Sequence, residues 1–331
     1  MEEERDEGFE VVVERHRREL HVHCYRMLGS FDEAEDLVQD TLLRAWRSWS
    51  RFDGVALRPW LYRIATNACL DFLARKARRE VPLTPAVAAV PWLQPYPDRL
   101  LAEAGAEAEA VDDVVVGRET VELGFLAALQ ALSPRQRAVL VLRDVVGWSA
   151  PEAASALGLT VAGVNSTLQR ARATLRRHRP PSREDWAPLA SPSEGERRLV
   201  ERFVAACERY DVAAMVALAR EDVRMVALPQ GDTWEGRDAF AAETEEGFGP
   251  GAPGVLRCLV TRANGRPAVA AYLRPWDATT HRPFVLSVLH EQDGQLVELV
   301  SFHTDEFTAF GLPAEIPAAP DEIARPHPFL L

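Results

Sequence analysis

Residues 149–177 read SAPEAASALGLTVAGVNSTLQRARATLRR, and no other stretch restricts the fold as tightly. Ser149 with Glu152 three places on forms a capping-box pattern, and Pro151 suits a first helical turn that needs no amide donor. Ala153, Ala154 and Leu157 fall on one side of a short helix. Gly158 sits where a helix ends in a left-handed turn, and Thr160 can cap the next helix. On that second helix Val161, Val164, Leu168, Ala171 and Leu175 recur at steps of three and four, which predicts one buried stripe. The other side carries Asn165, Gln169, Arg172 and Arg176, with Ser166 and Arg170 beside them. Two short helices joined by a tight turn, the second with a polar and basic outer face, are the outline of a helix-turn-helix that fits a DNA major groove. Asn, Gln and Arg can each pair bidentately with base edges, for roughly 1–3 kcal/mol of discrimination. From Thr160 to Arg179 there are five arginines and no carboxylate, the local sign that phosphate contacts require.

The rest of the chain is acidic. Its formal net charge is −12 over 331 residues, which excludes a generic nucleic-acid coat and makes any DNA contact local. Ser191 to Leu331 holds 22 carboxylates against 13 arginines. Cys24, Cys69, Cys207 and Cys258 lie far apart in sequence with no CxxC or Cys/His cluster, so buried apolar roles are expected, with no metal and no cofactor. No apolar run approaches the ~20 residues needed to cross a bilayer, and the N-terminal MEEERDEGF has the wrong charge for a signal peptide. A cytoplasmic chain with no membrane partner is therefore expected.

Periodicity and proline placement divide the sequence. Residues 9–80 read as a helical domain, with a long amphipathic helix over 32–49 (Leu37, Thr41, Leu42, Ala45 and Trp49 inward) and another over 58–79. From Leu57 to Arg79 there are six basic residues, among them Arg58, Arg63 and Arg75, and one acid, Asp71. Phe52, Trp60 and Tyr62 lie beside this run, a mixture that suits single-stranded DNA, although Trp60 fits a core position equally well. Residues 81–118 form a linker, proline-broken first and acidic later; its stretch Trp92-Leu93-Gln94-Pro95-Tyr96-Pro97 is too apolar for a free tether and is expected to pack. A second helical domain over 119–178 ends in the helix-turn-helix, a linker covers 179–194, and residues 195–312 change to α+β, with helices followed by strands at 254–263, 266–274, 283–291 and 295–303. Residues 313–331 form a proline-rich tail.

With these segments in place, the chain resembles the extracytoplasmic-function (ECF) sigma factors of the sigma-70 family. Ala34-Glu35-Asp36-Leu37-Val38-Gln39-Asp40 with Arg44-Ala45-Trp46 resembles region 2.2. The resemblance implies that this segment binds the β′ clamp helices of RNA polymerase core through the acidic face of Glu35, Asp36, Gln39 and Asp40, with Leu37, Val38 and Leu42 as apolar support. Trp60-Leu61-Tyr62-Arg63-Ile64-Ala65-Thr66-Asn67 resembles the segment that captures a flipped base of the −10 element, which marks Asn67 for the base pocket. Leu132-Ser133-Pro134-Arg135-Gln136-Arg137 and the helix-turn-helix resemble region 4, which reads the −35 element and touches the β flap; Asn165, Ser166, Gln169, Arg170 and Arg172 match its reading face. The same resemblance sends the acidic linker along the channel for nascent RNA.

The C-terminal part is similar to SnoaL-like members of the NTF2-like superfamily. The expected fold class is therefore two all-α sigma domains followed by an α+β, cone-shaped NTF2-like domain. Trp92–Pro97 and Phe310-Gly311-Leu312-Pro313 are more similar to the sigma-G type than to the sigma-J type, whose DGGG-type motif is absent. The C-terminal domain is expected to regulate sigma activity by binding a small ligand or a regulatory protein, with Trp234, Tyr272, Trp276 and His303 (and His281 and Asp305) as pocket residues. The alternative is an isomerase- or cyclase-type enzyme domain fused to a DNA-binding module.

Overall fold

Serine caps and glycine stops set the helix limits of the N-terminal half. A computed structural model describes residues 9, 11–76, 87, 90–106, 121–178, 192–249, 252–304, 306–319 and 322. The chain divides into two compact units, Met1–Pro188 and Leu189–Leu331.

In the first unit, α1 (Arg17–Leu28) ends at Gly29, whose φ of 74° closes the left-handed cap. Ser30 then caps α2 (Phe31–Ser48) by accepting from the Glu33 amide, and Asp32 and Glu33 fill the first turn, where the helix dipole favours negative charge. Next comes α3 (Leu57–Arg75). These three helices share a core of Leu20, Cys24, Leu28, Ala34, Val38, Ala45, Leu61, Ala65 and Ala68. The apolar stretch after residue 90 lies along this bundle. Trp92 Nε1 donates to Leu28 O at 3.2 Å, Tyr25 donates to Gln94 O at 2.7 Å, and Tyr96 is fully buried. The Gln94 side chain accepts from the Ser30 hydroxyl at 2.7 Å and donates to Asp32 at 2.6 Å, so the linker closes over the cap of α2. A short helix, α4 (Asp98–Ala106), follows.

The helices α5 (Leu123–Gln130), α6 (Pro134–Leu140), α7 (Ala150–Leu157) and α8 (Val161–His178) complete the unit. Ser133 and Ser149 each close a full capping box, and α6 runs on into a π-turn over Val141–Val145. Arg137 joins the two helical groups. It is buried, and its guanidinium donates to Leu129 O (2.9 Å), Gln130 Oε1 (2.5 Å), Gln130 O (3.0 Å), Leu132 O (3.2 Å) and Met27 O at the end of α1.

In the second unit, α9 (Glu194–Arg209) and α10 (Val212–Leu218) precede β1 (Ala219–Leu228), the short β2 (Asp232–Glu235) and α11 (Arg237–Phe248). Four long strands follow: β3 (Gly254–Ala263), β4 (Arg266–Pro275), β5 (Thr280–Gln292) and β6 (Gln295–Phe302). Two-residue turns join two of the hairpins. Asn264-Gly265 (φ 55° and 79°) and Asp293-Gly294 (φ 54° and 79°) supply the positive φ pair that matches strand twist. The sheet order is β2-β1-β6-β5-β4-β3, antiparallel except for the parallel pair β1–β6, and β7 (Ile316–Pro317) pairs with β5. Phe203, Cys207, Met215 and Phe240 of the helices pack on Cys258, Val269, Ala271 and Leu299 of the sheet. All four cysteines are buried free thiols.

Candidate nucleic-acid interface

The helix-turn-helix is built as its residues dictate. Ser149 and Glu152 exchange the two capping hydrogen bonds, Gly158 ends α7 at φ 62°, and Thr160 Oγ1 accepts from the Gly163 amide at 3.0 Å to start α8. Val164, Leu168 and Ala171 are buried, whereas Val161 is 43% exposed. Val161 therefore belongs to the outer edge of the first turn and not to the core stripe. Asn165, Ser166, Gln169, Arg170 and Arg172 are all exposed. Asn165, Gln169 and Arg172 follow one another at helical steps on one face. Arg172 is held there by a bidentate ion pair with Asp144, at 2.8 and 2.6 Å, which raises the guanidinium pKa.

The basic helix α3 does not present its four singled-out residues on one face. Arg63 is exposed, and Asn67 lies one turn later. Asn67 Nδ2 donates to Ala156 O of α7 at 3.5 Å, so this side chain faces the helix-turn-helix within the same unit. Tyr62 and Trp148 extend that contact, with ring centroids 6.3 Å apart. Arg58 is turned to the side: its Nε donates to Glu19 at 2.7 Å and its guanidinium stacks 5.2 Å from the Tyr62 ring centre. Burial pushes the Glu19 carboxyl up, but hydrogen bonds from His16 and Arg58 outweigh it and hold the pKa below the ordinary value. Arg75 folds back on Asp71 O at 3.2 Å. Trp60 sits in an aromatic cluster with Phe52 (4.8 Å) and Trp49 (6.1 Å).

On α2, Asp36 and Gln39 are exposed. Glu35 pairs with Arg17, and Asp40 pairs with Arg44 at 2.9 Å. Leu37 and Val38 are buried and cannot support an external contact. The apolar residues at the surface are Leu43 (54% exposed) and Trp46 (50%), which continue the row of Asp36 and Gln39 along one helix face. Helical spacing from Asp36 would have found both.

In the second unit the concave face of the sheet and the helices above it enclose a cavity of about 330 Å³. Of the four expected pocket residues, only His303 lines it. Tyr272 lies on the other face of β4, against Phe307 and donating to Pro313 O at 2.7 Å. Trp276 Nε1 donates to Ala252 O at 3.0 Å, and Trp234 lies on the edge strand opposite Met225. His281 is buried beside the β7 pairing, and Asp305 lies outside the described residues. The cavity is set by strand parity, which brings Met225 and Ala227 of β1, Ser287 of β5, and Ser301 and His303 at the end of β6 to the same side.

Comparison with known proteins agrees with these features. The sigma-70 region 2 family matches residues 12–79, and the sigma-70 region 4 family matches residues 123–175. The ECF RNA polymerase sigma factor SigG of Mycobacterium tuberculosis is 40% identical over 326 residues, covering 94% of this chain and 85% of that protein. SigJ of the same organism is 29% identical over 211 residues, covering 62% of this chain and 61% of that protein. The crystal structure of Mycobacterium tuberculosis SigJ matches with a TM-score of 0.55 at 21% identity, over 90% of this chain and 97% of that one, a likeness of fold that includes the helix-and-sheet C-terminal domain. No described helix is long and apolar enough to cross a membrane. The chain belongs to the ECF RNA polymerase sigma factors, which direct the polymerase to promoters and start transcription there.

Proposed function

We propose that three faces of this chain divide the work of initiation. The outer face of α8 reads the −35 element as duplex, with Asn165 and Gln169 at the bases, Ser166 and Arg170 along the backbone, and Arg172 joining them by exchanging Asp144 for DNA. Arg63 and Asn67 of α3 hold the opened −10 strand. Asp36 and Gln39, with Leu43 and Trp46, dock on the polymerase clamp, where the paired Glu35 and Asp40 add negative field. The observation that carries this reading is the sorting of α8: its Asn, Gln and Arg residues are exposed while Val164, Leu168 and Ala171 are buried. Arg58 and Arg75 act through positioning, since both are engaged with groups of the first unit.

The contact of Asn67 with Ala156 O has a consequence for loading. Asn67 meets an extruded base only after α7 moves away from α3. Docking on core polymerase supplies that separation, because the two helical groups then bind different surfaces.

The C-terminal domain regulates initiation and adds no DNA affinity of its own, as its 22 carboxylates against 13 arginines repel phosphate. Run-off transcription with purified core polymerase tests the whole reading. Asp36→Arg is expected to abolish core capture in a pull-down while the melting temperature stays unchanged, and wild-type capture would refute the docking face. Truncation after Pro192 is expected to change promoter output, and identical output would refute regulation by the domain.

A further inference from the structure

The cavity of the second unit has a mainly apolar wall in which the Thr244 hydroxyl is spent on Phe240 O (2.7 Å) and the Tyr210 hydroxyl on Gly254 O, leaving one buried pair of polar groups to account for. Ser287 and Ser301 face each other across β5 and β6, with hydroxyl oxygens 3.0 Å apart and side chains 7% and 6% exposed. One hydroxyl donates to the other. The second hydroxyl hydrogen has no acceptor among the described residues, and both serines line the cavity. Around them stand Phe203, Phe240, Phe248 and Leu299, with His303 at the exposed mouth, edge-on to Phe284 at 5.6 Å. Among the described residues no lysine or arginine lines the space, and the acidic ones that do are Glu243 and Glu246, half-buried and exposed respectively.

We propose that this cavity binds a neutral, flat, mainly hydrocarbon molecule whose single carbonyl or hydroxyl oxygen accepts the spare hydrogen of the Ser287–Ser301 pair. Size follows from volume. An apolar cavity of ~150 Å³ holds one benzene, so about 330 Å³ takes roughly 13 non-hydrogen atoms, two or three fused rings. An anion is disfavoured because, among the described residues, no lysine or arginine lines the space, two carboxylates do, and the interior offers no cation to offset desolvation. A cation would meet those carboxylates only at the rim and would leave the apolar interior empty. The oxygen matters because the unpaired hydroxyl is otherwise left without a partner, which is how a polar group in an apolar pocket selects its ligand.

This inference deepens the regulatory reading of the domain. The test is direct binding without polymerase, so its failure is distinguishable from a failure of that reading. Three matched probes are titrated against the full chain by calorimetry: 2-acetylnaphthalene, the oxygen-free 2-ethylnaphthalene and the anionic 2-naphthoate. The ketone is expected to bind at least fivefold more tightly than the hydrocarbon, and the carboxylate at least tenfold more weakly than the ketone. Ser301→Ala is expected to remove the preference for the ketone while leaving the hydrocarbon's affinity within twofold. Leu256→Trp, which fills the cavity, is expected to abolish both. Equal binding of ketone and hydrocarbon to the unmodified chain, tighter binding of the carboxylate, or no binding of any probe at 0.2 mM would each overturn the proposal, whatever the variants do.

Discussion

Replacing Arg137 with Met removes a buried fork while keeping the length of the side chain. The guanidinium bridges four backbone carbonyls, those of Leu129, Gln130 and Leu132 inside the second helical group and Met27 at the end of α1, and it also holds the Gln130 side-chain oxygen. Methionine offers no donor; Leu129 O keeps the Leu132 amide at 3.0 Å, whereas the carbonyls of Gln130, Leu132 and Met27 lose the guanidinium. At about 1 kcal/mol for each of these, the lower end of the range for such groups, the loss is about 3 kcal/mol. For a unit of this size each kcal/mol moves the midpoint by about 2–4 °C, so the first unit's transition is expected to fall by roughly 6–12 °C. Differential scanning calorimetry of the full chain reads that transition, with the second unit as an internal reference. Arg137→Lys keeps the charge but reaches fewer carbonyls, and its midpoint is expected between the two. A fall of less than about 3 °C for Arg137→Met would show that the hub contributes little and that the two helical groups are joined by apolar packing alone.

Acid is expected to weaken the first unit. Burial lowers the pKa of His21 to about 4 and of His23 to about 3, so as pH falls through 6.5 the unfolded chain takes up two protons that the native chain refuses. Stability should drop by about 2.7 kcal/mol between pH 7.5 and 5.5, read as a lower urea midpoint, and an unchanged midpoint would refute the neutral buried pair. Ser149→Ala removes one half of a capping box and is expected to cost about 1 kcal/mol and weaken duplex binding, whereas Ser149→Asp should stay near wild type in both melting and gel-shift assays.

Local chemistry made much of this fold legible. Caps and glycine stops are contiguous signals, so Ser149, Gly158 and Thr160 locate both helices of the helix-turn-helix. The long strands alternate over many residues and could be bounded to within a few positions. β2 is only four residues long and follows the turn-like Pro229-Gln230-Gly231, so it carries no periodic signal. The parallel pairing of β1 with β6 joins residues some seventy apart and has no local signature. Long-range burial was equally hidden: Arg137 reads as one more base in a basic run, yet the carbonyls that surround it come from both helical groups. At the cavity, choosing residues by type favoured Trp234, Tyr272 and Trp276, whereas counting parity along β5 and β6 from the core Leu299 leads to Ser301, His303 and, across the ladder, Ser287. On α2 the error was one of angle, since Leu37 and Val38 point inward and Leu43 and Trp46 point out.

The strap over the first bundle also works as a ruler. While Gln94 and Tyr96 stay fastened and α4 stays folded, 14 residues remain between Ala106 and Val121. Stretched fully, they span at most about 50 Å. At ~3.4 Å per base pair that is the length of about 15 pairs. Contour length therefore caps how far Ala106 and Val121 can part, and unfastening Gln94 would let out more line.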